Sequence, residues 1–191
     1  MVVREMNYNK FKSPKNGEFS EMKPEYLKLS LEVFESRVTE LRRRLEDCDI
    51  CPRKCRVNRL SGETGYCGSG KEVRISSAIP HFGEEEPLVG TGGSGTVFLS
   101  NCNLGCDYCQ NFELSQLGRG EKVGAGLLAE KMVKLQEQGC HNINWVSPTH
   151  FVPQLVESLL QARSLGLKVP IVYNTGGYDC VDTLKLLEGI V

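Results

Sequence analysis

Beyond residue 70 the apolar positions fall into short compact runs separated by stretches of helical spacing. "EVRISSAI" (72–79) reads as a strand, "PHFGEEEPLVGTGGSG" (80–95) as a loop and "GTVFLS" (95–100) as a second, more apolar strand. "AGLLAEKMVKLQEQG" (125–139) is amphipathic and ends at Gly139, a residue type that closes helices. "NINWVS" (142–147) predicts a strand. "THFVPQLVESLLQARSLG" (149–166) predicts a helix with Pro153 in its first turn. "VPIVY" (169–173) is again a strand, "NTGGYD" (174–179) a loop, and "CVDTLKLLEGIV" (180–191) opens a further helix. Strand and helix alternate three times, which predicts an α/β fold with parallel strands and right-handed crossovers.

The first 70 residues have a different rhythm. Up to about Lys23 the chain is polar, with Pro14 and Gly17, and predicts a mobile arm. From 24 to 47, Leu27, Leu31, Phe34, Val38, Leu41 and Leu45 recur near helical spacing, predicting one long helix. The stretch 48–70, "CDICPRKCRVNRLSGETGYCGSG", is too rich in glycine for a regular element and reads as a tightly turned knuckle. Three regions follow: arm and helix (1–47), knuckle (48–70) and α/β part (71–191). Three parallel strands alone neither close a barrel nor make a comfortable sheet, so the α/β part is expected to be incomplete, the first βα units of a longer protein.

In parallel α/β sheets the chemistry gathers outside the carboxyl ends of the strands. Three loops share that rim here. The first holds Cys102, Cys106 and Cys109, the second Ser147, Pro148, Thr149 and His150, and the third Asn174, Thr175, Gly176 and Gly177.

Composition narrows the chemistry. The 191 residues are 40% hydrophobic and 25% charged with net charge −1, so bulk charge gives no reason to expect a nucleic-acid or membrane partner. There is no apolar run of spanning length and no apolar leader, which predicts a cytoplasmic protein. Nine cysteines in that setting favour metal ligation over disulfides. Four fall at Cys48, Cys51, Cys55 and Cys67, three at Cys102, Cys106 and Cys109, and Cys140 and Cys180 stand alone. This bunching predicts two separate metal sites. The knuckle set has four thiolates and no open position, suiting a structural zinc ion or a second iron–sulfur cluster. The loop set, C-x3-C-x2-C, has only three, leaving one iron of a four-iron cluster free to bind something else.

That loop, at the end of the first parallel strand, resembles the signature of radical S-adenosylmethionine enzymes. "CPRKCRVNRLSGETGYCG", "PHFGEEEPL", "GGSGTVFLSNCNLGCDYCQN", "VSPTHFVPQLVE" and "IVYNTGGYD" are similar to one branch, the uncharacterised homologues of pyruvate formate-lyase-activating enzyme. The resemblance implies a partial (β/α)6-type barrel, of which this chain is the N-terminal part. It implies a [4Fe-4S] cluster on Cys102, Cys106 and Cys109, whose open iron binds S-adenosylmethionine. Reductive cleavage then yields a 5′-deoxyadenosyl radical that abstracts hydrogen from the substrate. It places Tyr108 near the adenine, and makes Asn174 and Thr175 cofactor contacts. A Gly-Gly-Glu motif that holds the amino group in activating enzymes is replaced here by "SPTH", leaving that work to Ser147, Thr149 and the local backbone. An electron donor such as a flavodoxin or ferredoxin is implied, and a protein or peptide substrate is left open.

Two other classes compete: an electron carrier with two clusters and no S-adenosylmethionine chemistry, and a zinc-stabilised interaction module. A carrier would ordinarily give each cluster four cysteines, and a zinc module leaves the three-cysteine loop unexplained. Cys140 and Cys180 read as small core residues. His150 is balanced between ligand contact and structure, and His141 reads as structural. Residues 41–59 carry seven basic and three acidic side chains, net +4, a solvated helix face or a docking patch for an acidic partner.

Overall fold

The computed structural model describes residues 23–191, so the polar arm, Lys23 apart, lies outside the described residues. The single helix expected over 24–47 is two: α1 (Glu25–Lys28) and α2 (Leu31–Arg43). Leu29 and Ser30 are extended between them (ψ 143° and 152°), and Ser30 Oγ accepts the Val33 N–H at 3.3 Å. Serine competes for backbone donors in a helix interior and satisfies them at an N-cap, so the chain restarts there.

Five strands form one sheet: β1 (Val73–His81), β2 (Ser94–Leu99), β3 (Glu121–Val123), β4 (Ile143–Val146) and β5 (Ile171–Asn174), in the order β3-β1-β2-β4-β5. As the alternation predicts, β2, β4 and β5 are parallel, with Val97, Trp145 and Tyr173 in register. β1 is antiparallel to both β2 and β3. The sheet is therefore mixed and wider than the three parallel strands alone. The protein is α/β with a mixed five-stranded open sheet.

Two short helices, α3 (Glu86–Val89) and α4 (Phe112–Ser115), lie in the loops flanking β2. The longer ones, α5 (Ala125–Glu137) and α6 (Val152–Ser164), are the crossovers, and α7 (Val181–Leu187) follows β5. Leu128, Met132 and Leu135 of α5 recur at helical spacing and share one core with Leu155 and Leu159 of α6 and with Val97, Ile143 and Trp145 of the sheet. Each such side chain stabilises the fold by about 1.5–3 kcal/mol on full burial. No helix among the described residues is long and apolar enough to cross a membrane.

The N-terminal elements among the described residues are fastened to the C-terminal ones. Tyr26 Oη donates to Val169 O at 3.0 Å, and Arg163 Nη1 donates to the carbonyls of Tyr26 and Leu29 at 3.1 and 3.0 Å. Thr183 Oγ1 in α7 donates to Ile50 O at 2.7 Å and accepts from Arg44 Nη1 at 3.0 Å. The basic stretch 41–59 is largely consumed in such contacts. Arg43 pairs with Glu40 (2.8 Å), Arg44 with Asp49 (2.6 Å) and Arg56 with Asp47 (2.7 Å), while Arg59 is 1% exposed. The stretch is thus part solvated face, with Arg43 and Arg56 more than half exposed, and part interior, with Arg44 and Arg59 buried.

Candidate functional site

The rim anticipated from the strand order is built. Cys102, Cys106 and Cys109, from the loop after β2, line one cavity of about 210 Å³ together with Ser147 and Thr149 from the loop after β4 and Gly176 and Tyr178 from the loop after β5. Two non-glycine residues leave their strands with positive φ, Asn101 (66°) after β2 and Ser147 (54°) after β4. Such residues are uncommon and mark places where the chain must turn sharply. The rim loops are tied together by the Ser147 N–H, which donates to Asn174 O at 2.8 Å, and by Asn103 Nδ2, which donates to Tyr178 O at 2.8 Å.

Behind Thr149 lies a residue that sequence reasoning missed. Asp179 accepts from Thr149 Oγ1 at 2.6 Å, from Tyr173 Oη at 2.7 Å and from Thr175 Oγ1. Burial, reinforced by the Asp179 charge and its hydrogen bond, holds the Tyr173 phenol above its ordinary range. Of the expected cofactor contacts, Ser147 and Thr149 face the cavity with the three thiols. Thr175 is engaged by Asp179, Asn174 is exposed at the end of β5, and Tyr108 is 91% exposed; none of these three lines the cavity.

The thiols of the loop already have weak partners. Cys102 Sγ accepts the Leu104 N–H at 3.3 Å, and Cys109 Sγ lies 3.2 Å from Ser115 Oγ. His150 is buried and structural. Its Nε2 donates to Ser100 O at 3.0 Å, its Nδ1 has no partner, and complete burial, with Arg59 nearby, pushes its pKa down to about 4 against the opposing pull of the Ser100 hydrogen bond. Cys140 is buried in the core as expected, its Sγ 3.6 Å from Gly92 O. Cys180 is partly exposed at the N-cap of α7.

The knuckle brings Cys48, Cys51, Cys55 and Cys67 to the wall of one small cavity of about 10 Å³, the space of a single water. Burial raises the Cys51 thiol; the Arg53 N–H and the Asn103 side chain oppose this, and Cys67 and Cys48 add a smaller upward push. Arg59 closes the cavity. Its guanidinium donates to Gly70 O (3.1 and 2.8 Å) and to His150 O (2.8 Å) and reaches Cys48 Sγ at 4.0 Å. Among the described residues no carboxylate pairs with it. A buried cation without a carboxylate is costly unless hydrogen bonds satisfy it, and the carbonyls of Gly70 and His150 do so here, with Cys48 Sγ beside them. Yet no group of three or more His, Cys, Asp or Glu side chains among the described residues converges tightly enough to hold a single metal ion. The four thiols share a wall without closing on one point.

The relatives found are uncharacterized. One protein of Methanocaldococcus jannaschii is 28% identical over the whole of this chain and 53% of its own length. A second from the same organism is 26% identical over 73% of this chain and 46% of its own. The chain thus spans about half the length of the curated relatives it matches. No protein-family model matches it, and no solved structure does.

Proposed function

We propose that this chain is the N-terminal part of a radical S-adenosylmethionine iron–sulfur enzyme, its sheet the first portion of a partial (β/α)6-type barrel. The observation that carries the reading is the shared cavity, lined by the three cysteines and by Ser147 and Thr149, outside the carboxyl ends of parallel strands. The donor set fits the group. Cysteine thiols are the ligands iron–sulfur clusters take, and three of them leave one iron of a four-iron cluster open. When bound, a [4Fe-4S] cluster with an open iron supplies the electron that cleaves the sulfonium of S-adenosylmethionine.

The chain's own residues would then do the following. Cys102, Cys106 and Cys109 ligate as thiolates. The single proton of the Thr149 hydroxyl is committed to Asp179, so toward the cavity Thr149 offers only acceptor lone pairs, with a carboxylate behind them. That pair suits an ammonium group and supplies the negative charge that "SPTH" lacks where activating enzymes carry a glutamate. Ser147, beside it, adds a hydroxyl at a backbone position held by Asn174. An electron donor such as a flavodoxin or ferredoxin, and a protein or peptide substrate, complete the reading.

The test is electron paramagnetic resonance of the anaerobically reconstituted, reduced protein. S-adenosylmethionine is expected to change the spectrum, and the Cys106→Ala variant to lose both cluster and response. A cluster indifferent to S-adenosylmethionine would support an electron carrier instead.

A further inference from the structure

The knuckle and the three-cysteine loop are joined by one side chain. Arg53, between Cys51 and Cys55, reaches out of the knuckle and donates from Nε to Asn103 O and from Nη2 to Leu104 O, both at 2.9 Å. Those carbonyls lie inside the C-x3-C span, between Cys102 and Cys106. The guanidinium is held flat against Tyr66, its Cζ 3.4 Å from the ring centroid, with Tyr178 on a further side at 5.6 Å. Tyr66 in turn abuts the loop. Gly105 has φ 75°, and a Cβ there would come within 2.3 Å of the Tyr66 hydroxyl. Asn101 Nδ2 adds a bond to Ser69 Oγ at 3.0 Å, and Cys67 and Cys102 border one crevice.

We infer that Arg53 is a positioning residue for the three-cysteine loop, so that the knuckle and the thiols Cys102, Cys106 and Cys109 keep their conformation as one unit. The reason is chemical. A planar guanidinium makes two parallel hydrogen bonds and stacks on an aromatic face at the same time, which lysine cannot do. Between the positive-φ turns at Asn101 and Gly105 the segment is held from two sides, by Arg53 of the knuckle on its carbonyls and by the Asn103 side chain on Tyr178 O. The knuckle is therefore one of the loop's mounts, the loop after β5 being the other. The link to cluster binding rests on the proposed function; the mechanical coupling does not.

Amide hydrogen exchange on the full chain without iron tests the coupling. Arg53→Met, which keeps the stem and loses the donors, is expected to speed exchange over residues 101–109 by about tenfold or more, with α5 unchanged. Arg53→Lys should fall between. Because a knuckle variant could unfold the knuckle itself, the reverse experiment is needed. Gly105→Ala, made in the loop, should speed exchange over 63–67 in the knuckle, since coupling between two segments is reciprocal. If neither segment responds to the change made in the other, the inference is wrong. Iron content after reconstitution then separates the two ideas. Wild type that binds iron while Arg53→Met binds less supports both. Wild type that never binds a cluster overturns the proposed function and leaves the exchange result to decide the coupling.

Discussion

Thr149 donates its hydroxyl to Asp179 at 2.6 Å across thirty residues of sequence, joining the loop after β4 to the loop after β5. Two further hydroxyls, from Tyr173 and Thr175, converge on the same carboxylate. Asp179→Asn turns one acceptor oxygen into a donor facing a hydroxyl. We expect a loss of about 2 kcal/mol of stability, read from urea unfolding. We also expect S-adenosylmethionine binding to the reconstituted protein to weaken about tenfold, as for a lost charge-assisted contact. Unchanged affinity would remove Thr149 and Asp179 from the binding site.

His150 sets an acid limit on the fold. Its folded pKa is about 4, against 6.5 when exposed. Between these values the unfolded chain binds the proton and the folded chain does not, so stability is full above pH 6.5 and falls as pH drops toward 4. The loss from this group alone approaches about 3 kcal/mol. His150→Gln, able to donate to Ser100 O without titrating, should flatten that part of a stability-against-pH curve. An equally steep curve in the variant would assign the acid limit to other groups.

Cys51→Ser tests the knuckle. Metal analysis of protein prepared with both zinc and iron should show bound metal lost from the variant, and a loss of one zinc per chain would mean a zinc knuckle. A loss of about four irons would mean a second cluster instead. No loss of either would exclude a metal from the knuckle.

Among the described residues β5 pairs only with β4, so its other edge offers unpaired backbone groups. Sedimentation velocity should show the 191-residue chain self-associating with concentration. Val172→Lys, a charge on that strand, should reduce the association. A clean monomer at high concentration would contradict this.

What the sequence made legible was whatever had a period. β2, β4 and β5 are compact apolar runs between amphipathic helices, so their parallel order and the shared rim of Cys102, Ser147 and Gly176 could be read in advance. β3 could not: Glu121, Lys122 and Val123 are too few for an alternation, and it exists because β1 offers an edge. The restart of the helix at Ser30 did have a signal, a serine ahead of a fresh apolar series, outweighed by the continuous spacing of the leucines. Asp179 had none. Its three partners are ordinary residues drawn together by the ends of two strands, a juxtaposition that only the fold creates. Arg53 and Arg59 were hidden by their own charge, since a run of basic residues reads as surface until the carbonyls they reach are known.

The fastening of Tyr26 to Val169 and of Ile50 to Thr183 also governs how the chain acquires its structure. Contacts so distant in sequence close large loops late and slow folding. During synthesis, α1 and α2 leave the ribosome more than a hundred residues before their partners Glu157 and Arg163 in α6 exist. Phe34, Leu41 and Leu45, all fully buried in the finished core, must wait through that interval in water or in the hands of a chaperone. Helices made early are among the last to find their places.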